Sequence, residues 1–232
     1  MVTFRPDLNC LWFPPDADDE AGTGTDGGPP PLLVFLHGIG ERGNGSDELT
    51  RVHAWGVTKY RAERTPITDG PFPFLVIAPQ CPPDRQWSDP DVMAAVERMV
   101  DEQIDQGAAD PRRLYLTGFS MGGIGVFSLA LRAPGRFAAV APVCGRCLDP
   151  PGLASLAPVP VWLAYAEDDE VRELALGSAA AAERLASFGN LEVRRFRLGA
   201  GGGMSAHVRT CDAAYADPGL YRWLSSRRAS AR

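Results

Sequence analysis

Leu114-Tyr115-Leu116-Thr117-Gly118-Phe119-Ser120-Met121-Gly122-Gly123 joins a short apolar run to a small-residue segment that continues to Arg132. The junction is a G-x-S-x-G sequence. The run before it has the length and composition of a strand buried on both faces. The segment after it, Gly122 to Arg132, is small and apolar, as a buried helix is. A serine on so sharp a strand-to-helix turn sits in a strained backbone conformation, and side chains at the two flanking glycines would clash. The turn lifts the hydroxyl above the carboxyl edge of the sheet. The following helix aims its N-terminal N–H groups and dipole at negative charge developing there. Ser120 is therefore the candidate nucleophile.

The pattern extends in both directions. Leu32-Leu33-Val34-Phe35-Leu36, Leu75 to Ala78, Ala138 to Val143 and Val159 to Tyr165 are further short apolar runs, and Leu8 to Phe13 reads as a first strand. Leu191 to Leu198 alternates with arginines and reads as a half-exposed edge strand. Helical patterns fall between them at Val92 to Gln106, Leu174 to Phe188 and Leu220 to Ser226. In the first of these, Val92, Val96, Met99, Val100 and Ile104 form one stripe with acids opposite. Strand–helix alternation predicts an α/β fold, an open parallel sheet covered on both faces. The 232 residues form one domain by this reading, 1–232, with a polar, basic tail that frays from Ser225 and is disordered over 227–232. Asp16 to Pro31 reads as a loop.

Composition narrows the function classes. A net charge of −6 argues against a nucleic-acid partner. No apolar run is long enough to span a membrane, and Met1 to Asp7 lacks a signal peptide's plan, so cytoplasmic residence is the default. Five cysteines, Cys10, Cys81, Cys144, Cys147 and Cys211, are odd in number and too sparse for a disulfide framework.

A serine needs a base, and the chain has three histidines. His37 ends a strand and reads as structural, its ring bonded to backbone. His53 reads as a surface residue in a polar helical stretch. His207 follows the last strand, on the glycine-rich loop from Gly199 to Ala206, and completes the chain order serine, acid, histidine. The acid that fixes the imidazole's tautomer comes from Glu167-Asp168-Asp169-Glu170, and spacing does not choose between Asp168 and Asp169. In His37-Gly38-Ile39-Gly40-Glu41-Arg42-Gly43 an N–H near Ile39, with the N–H of Met121, supplies an oxyanion site, each donor being worth about 3 kcal/mol.

Two other motifs compete. Gly38 to Gly43 also spells G-x-G-x-x-G, with Glu63 near the ribose-binding spacing, which is a dinucleotide fingerprint. The polar Asn44-Gly45-Ser46-Asp47 that follows is unsuited to a helix packed on the sheet, and that reading leaves Ser120 and His207 without a purpose. Cys144-Gly145-Arg146-Cys147 is a C-x-x-C, but it follows a strand rather than opening a helix, and no second pair completes a zinc site. The pair reads as two unrelated thiols.

Leu36 to Gly43, Ala78-Pro79-Gln80-Cys81-Pro82, Leu116 to Gly123 and Ala141-Pro142-Val143-Cys144-Gly145, in this order, resemble the carboxylesterase/phospholipase-like branch of the α/β-hydrolases, often called dienelactone-hydrolase-like or "predicted peptidase". The similarity runs from about Leu8 to Leu224. It implies an α/β-hydrolase fold with a mostly parallel sheet and a serine esterase that needs no cofactor or metal. Its substrate would be a small-molecule ester, cleaved through an acyl-enzyme. Aligning Tyr165 to Asp169 with the branch's H-G-x-x-D places the acid on Asp169, and Trp87 resembles an aromatic that lines the pocket. The branch's His-Gly pair and later proline are missing, and Val208 and Arg209 stand where an acid and a Trp are usual. The alternatives are a thioesterase, a peptidase or a hydrolase of polyester or acylated sugar with the same triad, then a non-catalytic binding protein on this scaffold.

Overall fold

A computed structural model describes residues 8–16 and 28–229. Most of the loop read between Asp16 and Pro31 and the last three residues lie outside the described residues. Among the described residues seven strands form one sheet: β1 (Cys10–Phe13), β2 (Leu32–Leu36), β3 (Leu75–Pro79), β4 (Leu114–Phe119), β5 (Ala139–Val143), β6 (Val161–Ala166) and β7 (Leu191–Phe196). Their order is β1-β3-β2-β4-β5-β6-β7. Only β1 runs antiparallel, against β3. The helices are α1 (Val57–Glu63), α2 (Pro90–Asp105), α3 (Met121–Arg132), α4 (Arg172–Ala186), α5 (Ala206–Ala216) and α6 (Pro218–Ser225).

The period of two along each strand sorts its side chains into two cores. Leu32, Val34 and Leu36 of β2 join a cluster with Val92 and Val96 of α2, Phe127 of α3 and Leu185 of α4. Leu33 and Phe35 turn the other way, to Val57 of α1, Tyr215 of α5 and Tyr221 of α6. All five β2 residues are buried, as their unbroken apolar run requires. The edge strand β7 stays partly exposed along its length, which is why arginines alternate there.

Chain direction places the site. From β2 the chain steps through α1 to β3 on one side, then returns through α2 to β4 on the other side of β2. Right-handed crossovers in opposite directions put α1 and α2 on opposite faces. The connections leaving β2 and β4 therefore part, and a crevice opens at their carboxyl ends. His37 to Gly43 leaves β2 there, and Ser120 leaves β4.

Two sequence expectations change. The segment holding His207 is not loop but the first turn of α5, a helix the sequence pattern missed because its apolar residues are few and small. The tail is held rather than frayed as far as residue 229: Tyr115 Oη donates to the Arg227 carbonyl at 2.8 Å and Ala229 N–H to the Arg112 carbonyl at 2.9 Å.

Candidate active site

Ser120 sits between β4 and α3 with φ 58° and ψ −115°. A non-glycine residue in that region costs on the order of 1–3 kcal/mol, so its surroundings must hold it. Ser120 N–H donates to the Val143 carbonyl of β5 at 2.9 Å, and its own carbonyl accepts from Ile124 N–H at 3.1 Å. The flanking glycines are needed for close approach. A Cβ on Gly118 would stand 2.6 Å from the Gly122 carbonyl oxygen, and one on Gly122 only 1.8 Å from that of Leu36. Side chains there would drive α3 off β2.

The four acids after β6 have separate tasks. Asp169, 1% exposed, takes the Nδ1–H of His207 on Oδ2 at 2.6 Å and the N–H of Val171 on Oδ1 at 2.8 Å. Asp168 accepts Gly199 N–H at 2.8 Å, which ties down the glycine loop. Glu167 pairs with Arg197 at 3.0 Å. Glu170 accepts the N–H groups of Ala206 at 2.8 Å and His207 at 3.2 Å, and Ser205 Oγ accepts that of Val208 at 3.3 Å. The acid loop thus caps the helix that carries the histidine, and these contacts, the Ala206 N–H first, hold Glu170 below the usual carboxylate range. Arg209, where the resembled branch often has a Trp, donates to the carbonyls of Leu198 and Gly199 and so serves the loop's shape.

With Nδ1 engaged by Asp169, Nε2 is the ring atom of His207 left to receive a proton. The imidazole is stacked at 4.6 Å, tilted by 37°, on Phe119, the residue before Ser120. No hydrogen bond joins the Ser120 hydroxyl to Nε2 in this structure; in resting enzymes of this kind that bond is often long. Ile39 opens a 3-10 turn, Ile39–Glu41, and Met121 opens α3. N–H groups at the head of a helix have no partner within it.

His37 is structural. Its Nε2 accepts the Cys81 N–H at 3.0 Å, so the proton is on Nδ1, which donates to the Gly38 carbonyl at 2.6 Å. Burial is the main cause that lowers its pKa to about 4, and the Gly38 carbonyl opposes it. A histidine buried neutral gives the fold stability that is complete above its unfolded pKa of about 6.5 and is lost as pH falls towards the folded value. The loss amounts to about 3 kcal/mol. His37 ring resonances in an NMR titration are expected to stay those of the neutral form down to about pH 5. Denaturant midpoints are expected to drop between pH 6.5 and pH 4.

Trp87 corrects the expectation drawn from the resemblance. It is fully buried, its indole N–H donates to the His37 carbonyl at 2.9 Å, and its ring meets the His37 ring edge-on at 5.0 Å. It packs on the start of the Gly38–Glu41 turn through His37 and, being fully buried, does not line a substrate surface. His53 is half-buried against Phe13. The dinucleotide reading fails on structure, because Gly43 leads to the turn at Asn44–Asp47 and no helix starts there. Cys144 and Cys147 pack into opposite core layers, so the C-x-x-C is no redox pair. Sequence reading missed the capping roles of Glu170 and Ser205. Ser205, three residues before the amide it caps, left a signal; Glu170, read only as a candidate acid, shows its role once the loop after β6 meets α5.

Residues 72–202 match the family described as phospholipase/carboxylesterase. That match contains Ser120 and Asp169 and ends before His207. "Putative esterase NocK" of Nocardia uniformis subsp. tsuyamanensis is 31% identical over 145 residues, which are 61% of this chain and 41% of that protein. The crystal structure of a thermostable esterase is 27% identical, with TM-score 0.71 over 96% of this chain and 63% of that one. The chain therefore spans less than two thirds of either relative. FphF, a fluorophosphonate-binding serine hydrolase of Staphylococcus aureus, shares the fold at 16% identity, with TM-score 0.58 over 94% of this chain and 91% of that one.

Proposed function

The chain belongs to the phospholipase/carboxylesterase family, and from that premise we propose that it hydrolyses carboxylic esters of small molecules through a Ser120–His207–Asp169 triad. The observation that carries this is the buried 2.6 Å contact between His207 Nδ1 and Asp169, with the imidazole stacked on Phe119, the residue before a serine in a left-handed turn. Asp169 sets the tautomer, so Nε2 is the base. Ser120 Oγ adds to the ester carbonyl as Nε2 takes its proton. The oxyanion is received by the N–H groups of Ile39 and Met121. The tetrahedral intermediate expels the alcohol, which takes the proton from the imidazolium and leaves an acyl-serine. Water, deprotonated by the same Nε2, attacks that ester; collapse frees the acid and returns the proton to Ser120. No step calls on a metal or cofactor.

Ile39 is 59% exposed, Leu148 48% and Val171 39%. They stand on the loops leaving β2, β5 and β6, at the same sheet edge as the triad. Apolar side chains left open there suit an apolar acyl or alcohol group. All five cysteines are unpaired, which fits a reducing compartment such as the cytoplasm. Among the described residues no helix is long and apolar enough to cross a membrane.

The test is reaction with a fluorophosphonate, located by peptide mass mapping, together with a panel of p-nitrophenyl esters, an acyl-CoA and a peptide amide. Label on Ser120 and fastest turnover on the oxygen esters are expected. An unlabelled Ser120 would leave only a hydrolase-shaped binding protein, and faster turnover of the thioester or amide would move the substrate class.

A further inference from the structure

We propose that Cys144 is a positioning residue for the acid of this triad: its thiol lies against the Asp169 carboxylate and holds it aimed at Nδ1 of His207. The inference rests on the triad reading above and adds to it a residue outside the serine, acid, histidine and oxyanion set. Cys144 Sγ, a carboxylate oxygen of Asp169 and a ring nitrogen of His207 all lie within 4.8 Å of one another, and all three residues are buried. Asp169 receives one N–H on each oxygen, from Val171 and His207. An ionised carboxylate has about four lone-pair sites, and at 1% exposure solvent hardly reaches the rest. The Cys144 thiol, within 4.8 Å of that carboxylate, is the donor assigned to it here.

The thiol is suited to donate and not to ionise. Burial first, then the Asp169 charge, pushes its pKa well above the usual thiol range, so it stays S–H. A neutral thiol fits a donor better than a thiolate ligand for a metal, although the atoms present are a ligand set. The backbone at this point is also unusual. Cys144 is the first residue past β5, its N–H donates to the Ala164 carbonyl of β6 at 2.8 Å, and its φ is 49°. Left-handed geometry favours glycine, and a glycine stands next door. Gly145, however, is needed where it is, because a Cβ there would come 2.4 Å from the Gly123 carbonyl carbon in the first turn of α3. The left-handed residue is thus one that bears a side chain, and that side chain is turned to Asp169. Strain kept at a site facing the acid is the mark of a residue held for its contact.

The experiment uses the whole chain and a p-nitrophenyl ester, with kcat, KM and melting temperature measured for Cys144→Ala, Cys144→Ser, Cys144→Gly, Asp169→Asn and the Cys144→Ala/Asp169→Asn double variant. Cys144→Ala is expected to lower kcat about 10-fold with little change in KM, as a small misplacement of a catalytic group does. Serine, which keeps a donor, is expected to recover most of the loss. Glycine relaxes the backbone but donates nothing, and is expected to stay as slow as alanine whatever its stability. With Asp169 already replaced, removing the thiol is expected to cost nothing more. Wild-type kcat in Cys144→Ala, recovery in glycine instead of serine, or a full additional loss in the double variant would each overturn the proposal. Wild-type kcat in Asp169→Asn would instead remove the triad reading, and this proposal with it. Should Cys144→Ala not fold, the serine–glycine contrast decides.

Discussion

Replacing Ser120 by alanine is expected to lower kcat for ester hydrolysis about 10⁴-fold or more while leaving thermal unfolding in place. The loss follows from what the hydroxyl alone can do. Without Oγ no acyl-enzyme forms, and water must attack the bound ester directly. The N–H groups of Ile39 and Met121 proposed for the oxyanion would remain, and at about 3 kcal/mol each they would keep the variant faster than the uncatalysed reaction. A 10⁴-fold loss corresponds to about 5.4 kcal/mol of transition-state stabilisation. The fold should not register the change, since Ser120 is held in its left-handed geometry by backbone bonds to Val143 and Ile124 and alanine meets the same φ penalty. The measurement is steady-state hydrolysis of a p-nitrophenyl ester beside a melting curve. A variant retaining even a tenth of wild-type kcat would show that some other group attacks.

His207→Ala is expected to cost as much in kcat as Ser120→Ala, and the double variant no more than either one. Nucleophile and base act as one unit: a serine without a base is a poor nucleophile, and a base without a serine has no proton to take. Stability behaves differently here. His207 is the donor to one oxygen of a carboxylate that is 1% exposed, and removing it leaves that oxygen buried with one partner fewer. The expected cost is about 1–3 kcal/mol, read as a lower denaturant midpoint that Ser120→Ala does not share. Losses in kcat that multiply in the double variant would mean the two residues serve separate steps and would break the triad.

Much of this was legible before folding was considered. Apolar runs such as Leu32 to Leu36 carry their own burial, because five consecutive apolar residues have no solvent face. G-x-S-x-G between a strand and a helix carries its own geometry, because Gly118 and Gly122 are positions where a side chain would strike backbone. The chain order serine, acid, histidine pointed to His207 over His37 and His53. These are local constraints, set by neighbours along the chain. The choice of Asp169 over Asp168 was not local, and neither were the burial of Trp87 against His37, the capping of α5 by Glu170 and the thiol beside the acid. Each depends on which residues meet at one end of the sheet, Trp87 with His37 after β2 and the others from β5, β6 and α5, a matter of register and helix docking over separations of tens of residues. Sequence by itself determined the strands, the elbow and the pair Ser120 and His207. Spacing left Asp168 and Asp169 open and the family resemblance named Asp169; only the tertiary structure brings Asp169 to the imidazole and turns Asp168 to Gly199, because adjacent residues in a loop can point opposite ways and packing alone selects between them.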